Sequence, residues 1–427
     1  MTEPTLAEAI FNPRAIALVG ASGNSMKNTA RPQRYLQAHG YQGTIIPINP
    51  NRDEVLGLQA WPDLGSAPGP IDHAFIMVPA PLVPKIIEDC ARTGITVATI
   101  YSDGFAEAGD KGLRRQREIL AIAMQKGIRL IGPNSMGIIN CRTPTPITVN
   151  AALEAPELIP GSLGVISQSG SVLGTLISRG QASGIGFSKL VSVGNEADLG
   201  VAEIGNLLVD DPETKTILLF MESIRDPDKL ADMARRAFDI GKPVIVYKLG
   251  RSNAGRALAI SHSGAIAGSD EAATAYFRHH SMIRVDMLET SFEIATLVTG
   301  RVPTSGRRVA VLTTTGGGGA MVVDRLDSLG VDVITPPVKL VKQLKPKGIH
   351  LGNAPLVDLT MVGAKKEIYD MALEALLASK ECDAVVAVVG SSAQFQPEIA
   401  VEPILAARKS NKPLAVFLVP QADRSLE

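Results

Sequence analysis

A histidine set among small residues, Ser261-His262-Ser263-Gly264-Ala265-Ile266-Ala267-Gly268-Ser269-Asp270, carries the sharpest chemical suggestion in this chain. Small neighbours let backbone N–H groups close on whatever the imidazole bears, as phosphate-cradling loops do. Imidazole is a competent nucleophile, so a phosphohistidine at His262 is one reading. A histidine in a turn that hydrogen-bonds its own backbone is the plainer one, and the decapeptide by itself favours it. Glu222 ends the apolar run Ile217–Met221. A carboxylate at a strand tip could hold one imidazole nitrogen while the other reacts; a cap or a surface ion pair is equally natural. The loop Ser167-Gln168-Ser169-Gly170-Ser171 offers hydroxyls and N–H groups at the positive end of a helix. Ordinary N-capping by Ser169 or Ser171 explains it as well.

Such groups need a frame, and one pattern supplies it three times. Ala15–Val19 runs into Gly20-Ala21-Ser22-Gly23-Asn24-Ser25, Leu163–Ile166 into Ser167–Ser171, and Val309–Leu312 into Thr313-Thr314-Thr315-Gly316-Gly317-Gly318-Gly319. A short apolar run, a Gly/Ser/Thr loop and a helical pattern make the βα unit of a doubly wound sheet, with its ligand crevice at the carboxyl ends of the strands. The fold class expected is therefore α/β, in three doubly wound modules. The first occupies 1–150, with further strands at Thr44–Pro47, His73–Val78, Thr96–Ile100 and Leu130-Ile131. The second occupies 151–305, entered through a linker over Leu153–Gly161 and holding strands at Ile217–Met221 and Val244–Lys248. The third occupies 306–427, with strands at Ala384–Val389 and Leu414–Val419 and a covering helix or further segment expected after Glu427.

The first loop narrows its ligand. Dinucleotide dehydrogenases need G-x-G-x-x-G and an acidic residue about 20 positions on. Here the loop is Gly20-x-x-Gly23, and the second strand ends at Ile48-Asn49-Pro50 without a carboxylate. A nicotinamide oxidoreductase is disfavoured, whereas a phosphate-bearing ligand at the helix start remains open.

Bulk composition sets the class. The 427 residues, 45% hydrophobic and 20% charged, predict a packed interior in two or three domains. With aromatics at 4%, Ala, Val, Ile and Leu must build the core, as buried parallel strands do. A net charge of −1 implies no general polyanion surface, hence no nucleic-acid partner. Cys90, Cys141 and Cys382 are too scattered for a disulfide framework, and His39, His73, His279, His280 and His350 show no metal-ligand spacing. The N-terminus lacks a signal-peptide pattern, and the apolar runs are far shorter than the roughly 20 residues of a membrane span, so a cytoplasmic protein with no membrane contact is expected.

In order along the chain, Phe11-Asn12-Pro13, Ile48-Asn49-Pro50, Tyr101-Ser102-Asp103-Gly104-Phe105, Gly132-Pro133-Asn134-Ser135-Met136-Gly137, Ser167–Gly170, Val193-Gly194-Asn195, Glu222-Ser223-Ile224 and Ser261–Asp270 resemble the NDP-forming acyl-CoA synthetases. That superfamily includes the α subunit of succinyl-CoA synthetase. The resemblance implies a Rossmann-like CoA-binding first module, with Gly20, Ala21, Ser22, Gly23 and Ser25 at the CoA phosphates. It puts Asn49 and Pro50 near the adenosine, Pro79 in the same cofactor site, and Ser102, Asp103, Gly104 and Asn134 at the thiol end. It implies that His262 becomes phosphorylated beside Gly264, that Glu222 steadies it, and that Ser169, Gly170 and Ser171 receive the phosphoryl group. The two later modules resemble flavodoxin-like domains.

The implied reaction joins a carboxylic acid to CoA through phospho-His262 and an acyl phosphate, with ATP becoming ADP and phosphate. No ATP-grasp region is visible, so ATP, ADP and magnesium are expected on a separate subunit or a fused segment, in a homo- or hetero-oligomer. The segment Gly352-Asn353-Ala354-Pro355-Leu356-Val357-Asp358-Leu359 departs from the family's usual spacing and is given no role. A non-catalytic CoA-sensing regulator on the same scaffold is the alternative; retention of His262 weighs against it. The acid stays open among aliphatic, branched and aryl types.

Overall fold

The computed structural model describes residues 3–255, 269–300, 306–391, 395–407 and 410–419. It divides into two compact units, Met1–Thr299 and Gly300–Glu427.

Two sheets make up the first unit. One contains β1 (Ala15–Val19), β2 (Thr44–Ile48), β5 (His73–Ile76), β6 (Val97–Ile100) and β7 (Arg129–Ile131), in the order β2-β1-β5-β6-β7, all parallel. A small hairpin, β3 (Glu54–Val55) with β4 (Leu58–Gln59), follows β2. The other sheet contains β8 (Gly137–Asn140), β9 (Thr145–Thr148), β10 (Pro160–Ser167), β11 (Phe187–Ser192), β12 (Thr216–Met221), β13 (Val244–Lys248) and β14 (Ile283–Val285). Its order is β14-β13-β12-β10-β11-β8-β9. The parallel strands of each sheet thus follow the doubly wound 2-1-3-4-5 pattern, and the strand order reverses beside β1 in one and β10 in the other. β1 is wholly apolar and buried, and β10 is buried from Leu163 onward, as strands covered on two faces must be.

The expected boundary at 150 runs past β8 and β9. β8 pairs antiparallel onto β11 and β9 antiparallel onto β8, so the two extend the second sheet. Nothing in their apolar pattern distinguishes the two sheets; the turn at 132–137 carries the chain across. The stretch expected as a linker holds a 3-10 turn, Ala151–Glu154, and the start of β10. Its Glu154 pairs with Arg34 at 2.8 Å, so it packs on the first sheet's helix Arg31–Ala38 instead of hanging free.

The second unit is one parallel sheet: β15 (Arg308–Thr313), β16 (Asp332–Val333), β17 (Val357–Asp358), β18 (Ala384–Val389) and β19 (Leu414–Leu418), ordered β16-β15-β18-β19 with β17 also on β15. β17 comes from the segment whose spacing departs from the family pattern. Among the described residues, no helix is long and apolar enough to cross a membrane.

Candidate functional site

In the first sheet the glycine loop leaves β1 at Gly20, whose φ of +88° suits only a residue without a Cβ. A Cβ there would lie 3.1 Å from Val78 and 3.2 Å from the Met77 backbone, so this glycine lets the loops after β1 and β5 touch at the crossing point. The helix expected directly after the loop starts only at Arg31, behind a 3-10 turn at Asn28–Ala30. The loop is therefore shaped by its own side chains. Ser22 Oγ accepts from Asn24 N–H at 3.1 Å, and Asn24 Oδ1 from Met26 N–H at 3.0 Å. Asn49 donates to Ala21 O at 2.8 Å and accepts from Asn51 N–H at 2.9 Å, so its amide holds the loop. The Ser25 carbonyl accepts from Arg34 at 3.4 Å. Pro50 follows at the strand end.

Arg52 is a residue the sequence reading missed. A Cβ on Gly23 would lie 2.9 Å from its guanidinium, so the cation lies flat against the glycine, and no carboxylate among the described residues pairs with it.

At the other end of the crevice, Pro79 caps a 3-10 turn, Ala80–Leu82. Ser102 is buried and its hydroxyl donates to Val78 O. Asp103 is exposed. Gly104 N–H donates to Glu107 Oε1 at 2.6 Å, and Arg115 donates to Gly104 O at 2.5 Å. The other Glu107 oxygen accepts from Asn195 of the second sheet. Burial pushes the Glu107 carboxyl up, but the Asn195 amide and the Phe105 N–H outweigh it and leave it below the usual range.

That contact belongs to a zipper between the sheets. Asn195, Ala197 and Leu199 N–H groups donate to Pro133 O, Gly132 O and Leu130 O at 2.9, 2.9 and 3.0 Å. Gly194, at φ +56°, makes the approach possible, because a Cβ there would collide with the carbonyls of Pro133 and Asn134. Asn134 itself sits at φ +56°.

The second sheet presents β10, β12 and β13 in register, Ser167 beside Phe220 and Met221 beside Lys248, so Gln168, Glu222 and Leu249 leave one edge together. The helix Gly170–Ala182 starts at once, and its cap residue Ser169 makes no side-chain cap bond. Its hydroxyl lies 3.2 Å from that of Ser171, which leaves the first-turn N–H groups as donors. Gly170 is glycine for packing, since a Cβ would strike Met136. Glu222 and Ser223 are buried at 6% and 3% exposure, and Ser223 Oγ has no hydrogen-bond partner among the described residues.

Lys248, also missed from sequence, donates to Glu222 O at 2.8 Å and Leu249 O at 2.5 Å. Burial, reinforced by Arg284, pulls its ammonium below the usual range. Asp270, the last residue of the histidine decapeptide, pairs with Arg284 at 2.5 Å, and Ser269 caps the helix Asp270–His279. His262 and Gly264 lie outside the described residues.

One small polar cavity collects what the chain separates: Asn134 from the first sheet's last turn, Gly194 and Asn195 from the zipper, and Gln168, Glu222, Ser223 and Arg225 from the second sheet. Of the residues expected to act, Asn134 and Glu222 meet here, with Ser169–Ser171 on the same strand edge. Gly20–Ser25 and Asn49-Pro50 belong to the first sheet's own crevice. Gln168 and Asn195 stand within motifs that carry the resemblance but were given no role, and Arg225 was not singled out; it directly follows the motif Glu222-Ser223-Ile224.

Known proteins resemble this chain over most of its length. Residues 14–140 match a family model described as a CoA binding domain, and 160–298 one described as a succinyl-CoA ligase like flavodoxin domain. The alpha subunit of ADP-forming acetate–CoA ligase I from Pyrococcus furiosus is 31% identical over 422 residues, 96% of this chain and 89% of that one. ADP-forming acetate–CoA ligase I from Archaeoglobus fulgidus is 34% identical over 91% of this chain, which spans 55% of that longer protein. The structure of acetyl-coenzyme A synthetase 1 from Ca. Korarchaeum cryptofilum, solved with phosphate and ADP, superposes with a TM-score of 0.88 at 31% identity, over 98% of this chain and 90% of that one.

Proposed function

This chain belongs to the ADP-forming acyl-CoA synthetases, beside the alpha subunits of acetate–CoA ligases, and we propose that it is their CoA-binding and phosphohistidine-bearing part. The proposed reaction converts a carboxylic acid, CoA and ATP into acyl-CoA, ADP and phosphate. ATP and magnesium would be held by an ATP-grasp module, as a separate subunit or a fused segment.

CoA is assigned to the first module (1–150), where Gly20–Ser25 and the Arg52 cation suit its phosphates and Ser102–Gly104 and Asn134 its thiol end. The histidine is assigned to the second (151–305), and the third (306–427) is a second flavodoxin-like domain. A cytoplasmic setting belongs to the same proposal.

In the first step the γ-phosphorus–oxygen bond of ATP breaks as His262 forms an N–P bond. Glu222 would hold the imidazolium that this creates and take up the charge. The phosphoryl group then passes to a carboxylate oxygen of the acid, giving an acyl phosphate and restoring the imidazole. Donors at the start of the helix Gly170–Ala182 would stabilise the charge in transfer. The CoA thiol finally attacks the acyl carbon, losing its proton as phosphate leaves. The single observation behind this reading is the shared cavity, where Asn134 of the CoA-type module and Glu222 of the second sheet line one space.

The test is incubation with the ATP-grasp partner and labelled ATP. An acid-labile, base-stable phosphoryl group lost in His262→Ala is expected, together with calorimetric CoA binding that survives the substitution. Label that persists in the variant overturns the assignment.

A further inference from the structure

Gln168 stands where the second sheet's strand order reverses, between the tip of β10 and the tip of β12. Every polar atom of its side chain is committed. Its Oε1 accepts from the N–H groups of Glu222 and of Ser223, the latter at 2.9 Å. Its Nε2 donates to Ser223 O at 2.9 Å and to Glu196 Oε1. Two donors face the oxygen and two acceptors face the nitrogen, so only this amide orientation works and no other side chain reproduces it. Glu196 in turn accepts from Val201 N–H at 2.9 Å and pairs with Arg225 at 3.4 Å.

The consequence falls on Glu222. Gln168 holds its N–H and Lys248 its carbonyl, so both backbone polar groups are fixed by side chains. One residue later in the chain, Ser169 begins the helix start that offers N–H donors. We propose that Gln168 is a positioning residue for Glu222, locking the strand tip that carries this carboxylate to the loop that opens the phosphate-receiving helix. The proposal rests on the phosphohistidine reading above.

The charged groups around this lock are Arg225, which draws the Glu196 proton off, Glu203, which opposes that, Asp198, Asp226 and Lys229 in the adjoining cavity, and Glu222 with Lys248 beyond Gln168. Burial dominates and raises the Glu196 carboxyl above its ordinary range.

The experiment labels the full chain with 32P-acetyl phosphate. The carboxyl-oxygen–phosphorus bond breaks, an N–P bond forms at His262, acetate leaves, and the imidazole proton passes to solvent. Q168M keeps the shape and removes all four contacts. Its labelling should slow about 100-fold, the scale of an ångström-sized misplacement, with CoA affinity within about twofold of the parent. The Glu222 and Ser223 amides should exchange with deuterium at least about tenfold faster.

Q168E keeps the acceptor for both N–H groups but sets a second carboxyl oxygen against Glu196, so that pair must share a proton. Its labelling should approach the parent's at pH 6 and fall away from it as the pH rises to 9, a profile that mere loss of packing would not give. Q168M labelling at the parent's rate, or a Q168E profile that superimposes on the parent's, overturns the proposal. An unlabelled parent chain whose amides are nonetheless deprotected in Q168M refutes the phosphohistidine reading and leaves the positioning of Glu222 standing.

Discussion

The loops after β10 and β15 are built alike and end differently. Ser167 Oγ donates to Ser169 O at 2.6 Å and accepts from Ser169 N–H at 3.1 Å. Thr313 Oγ1 does the same with Thr315, at 3.0 and 2.9 Å. Both helices then open on glycine, Gly170 and Gly316, and neither preceding residue spends its hydroxyl on a cap. Each loop sits where the strand order reverses, beside β12 in one unit and β18 in the other. There the likeness stops. Glu222 and Ser223 follow β12, with the Gln168 amide bonded between the tips. Gly390 follows β18, and a Cβ on it would lie 2.9 Å from that of Thr315, so backbone closes directly on the loop. Topology and a hydroxyl-bonded turn produce a helix start with unspent donors; the residue just past the neighbouring strand decides whether a carboxylate joins it.

The second sheet's loop also depends on the zipper to the first sheet, so the sharpest way to separate the two regions is Gly194→Ala. It adds left-handed strain to a collision with two carbonyls, about 2–5 kcal/mol together. Calorimetry should show one transition lowered, that of the Met1–Thr299 unit, and the other unmoved; a shift of both, or of neither, breaks the contrast.

Acid should part the units as well. His73, fully buried between Ala9 O and Thr99 Oγ1, has its pKa drawn down to about 4 by burial. The unfolded histidine takes its proton near 6.5, so the stability of the first unit is whole above that value. It declines as pH falls toward 4, by about 3 kcal/mol. In the second unit, Arg308 holds Asp383 down to about 2, a contribution present above the ordinary carboxylate value and lost only as pH falls toward 2. Urea midpoints at pH 7 and 4.5 should therefore drop for the first unit before the second.

Glu222→Gln removes the feature that distinguishes the two loops. Labelling of His262 should fall roughly 100-fold, the usual worth of a positioned acid–base partner, while CoA titration is unchanged. Labelling within a few-fold of the parent would mean that the carboxylate is not the difference that matters. The smallest effects come from glycine replacements in the two helix starts. Gly170→Ala pushes on Met136 and should cost about 1–3 kcal/mol. Gly317→Ala meets nothing within 4 Å and should stabilise by about 0.4–1 kcal/mol. Denaturant titration distinguishes them by sign.

Strand-sized apolar runs were enough to place β1, β2, β5, β6, β7, β10, β12, β13, β15, β18 and β19; most of these are buried on both faces and so must be apolar, while β19 is apolar yet partly exposed. β11 and β14, with serines, a lysine and an arginine in them, escaped that signal. β16 and β17, two residues each, are too short to carry one. The first loop's helix was expected too early because its Gly/Ser/Asn composition suits a wandering loop as well as a tight turn; only Ser22 and Asn24 binding their own backbone separates the two.

From sequence alone came the α/β class, the three βα starts and the family, and with them the proposal that Glu222 and Ser169–Ser171 serve a phosphorylated His262. Those follow from local pattern, which residue order preserves. Tertiary structure decided that β8 and β9 cross into the second sheet, that Asn134 shares a cavity with Glu222, and that Gln168 and Lys248 hold the backbone of Glu222. These arrangements join residues tens of positions apart, 26 for Lys248 and Glu222 and 54 for Gln168 and Glu222. No periodicity or propensity encodes such a distance. It is set only when parallel strands fall into register and their carboxyl ends arrive at one edge.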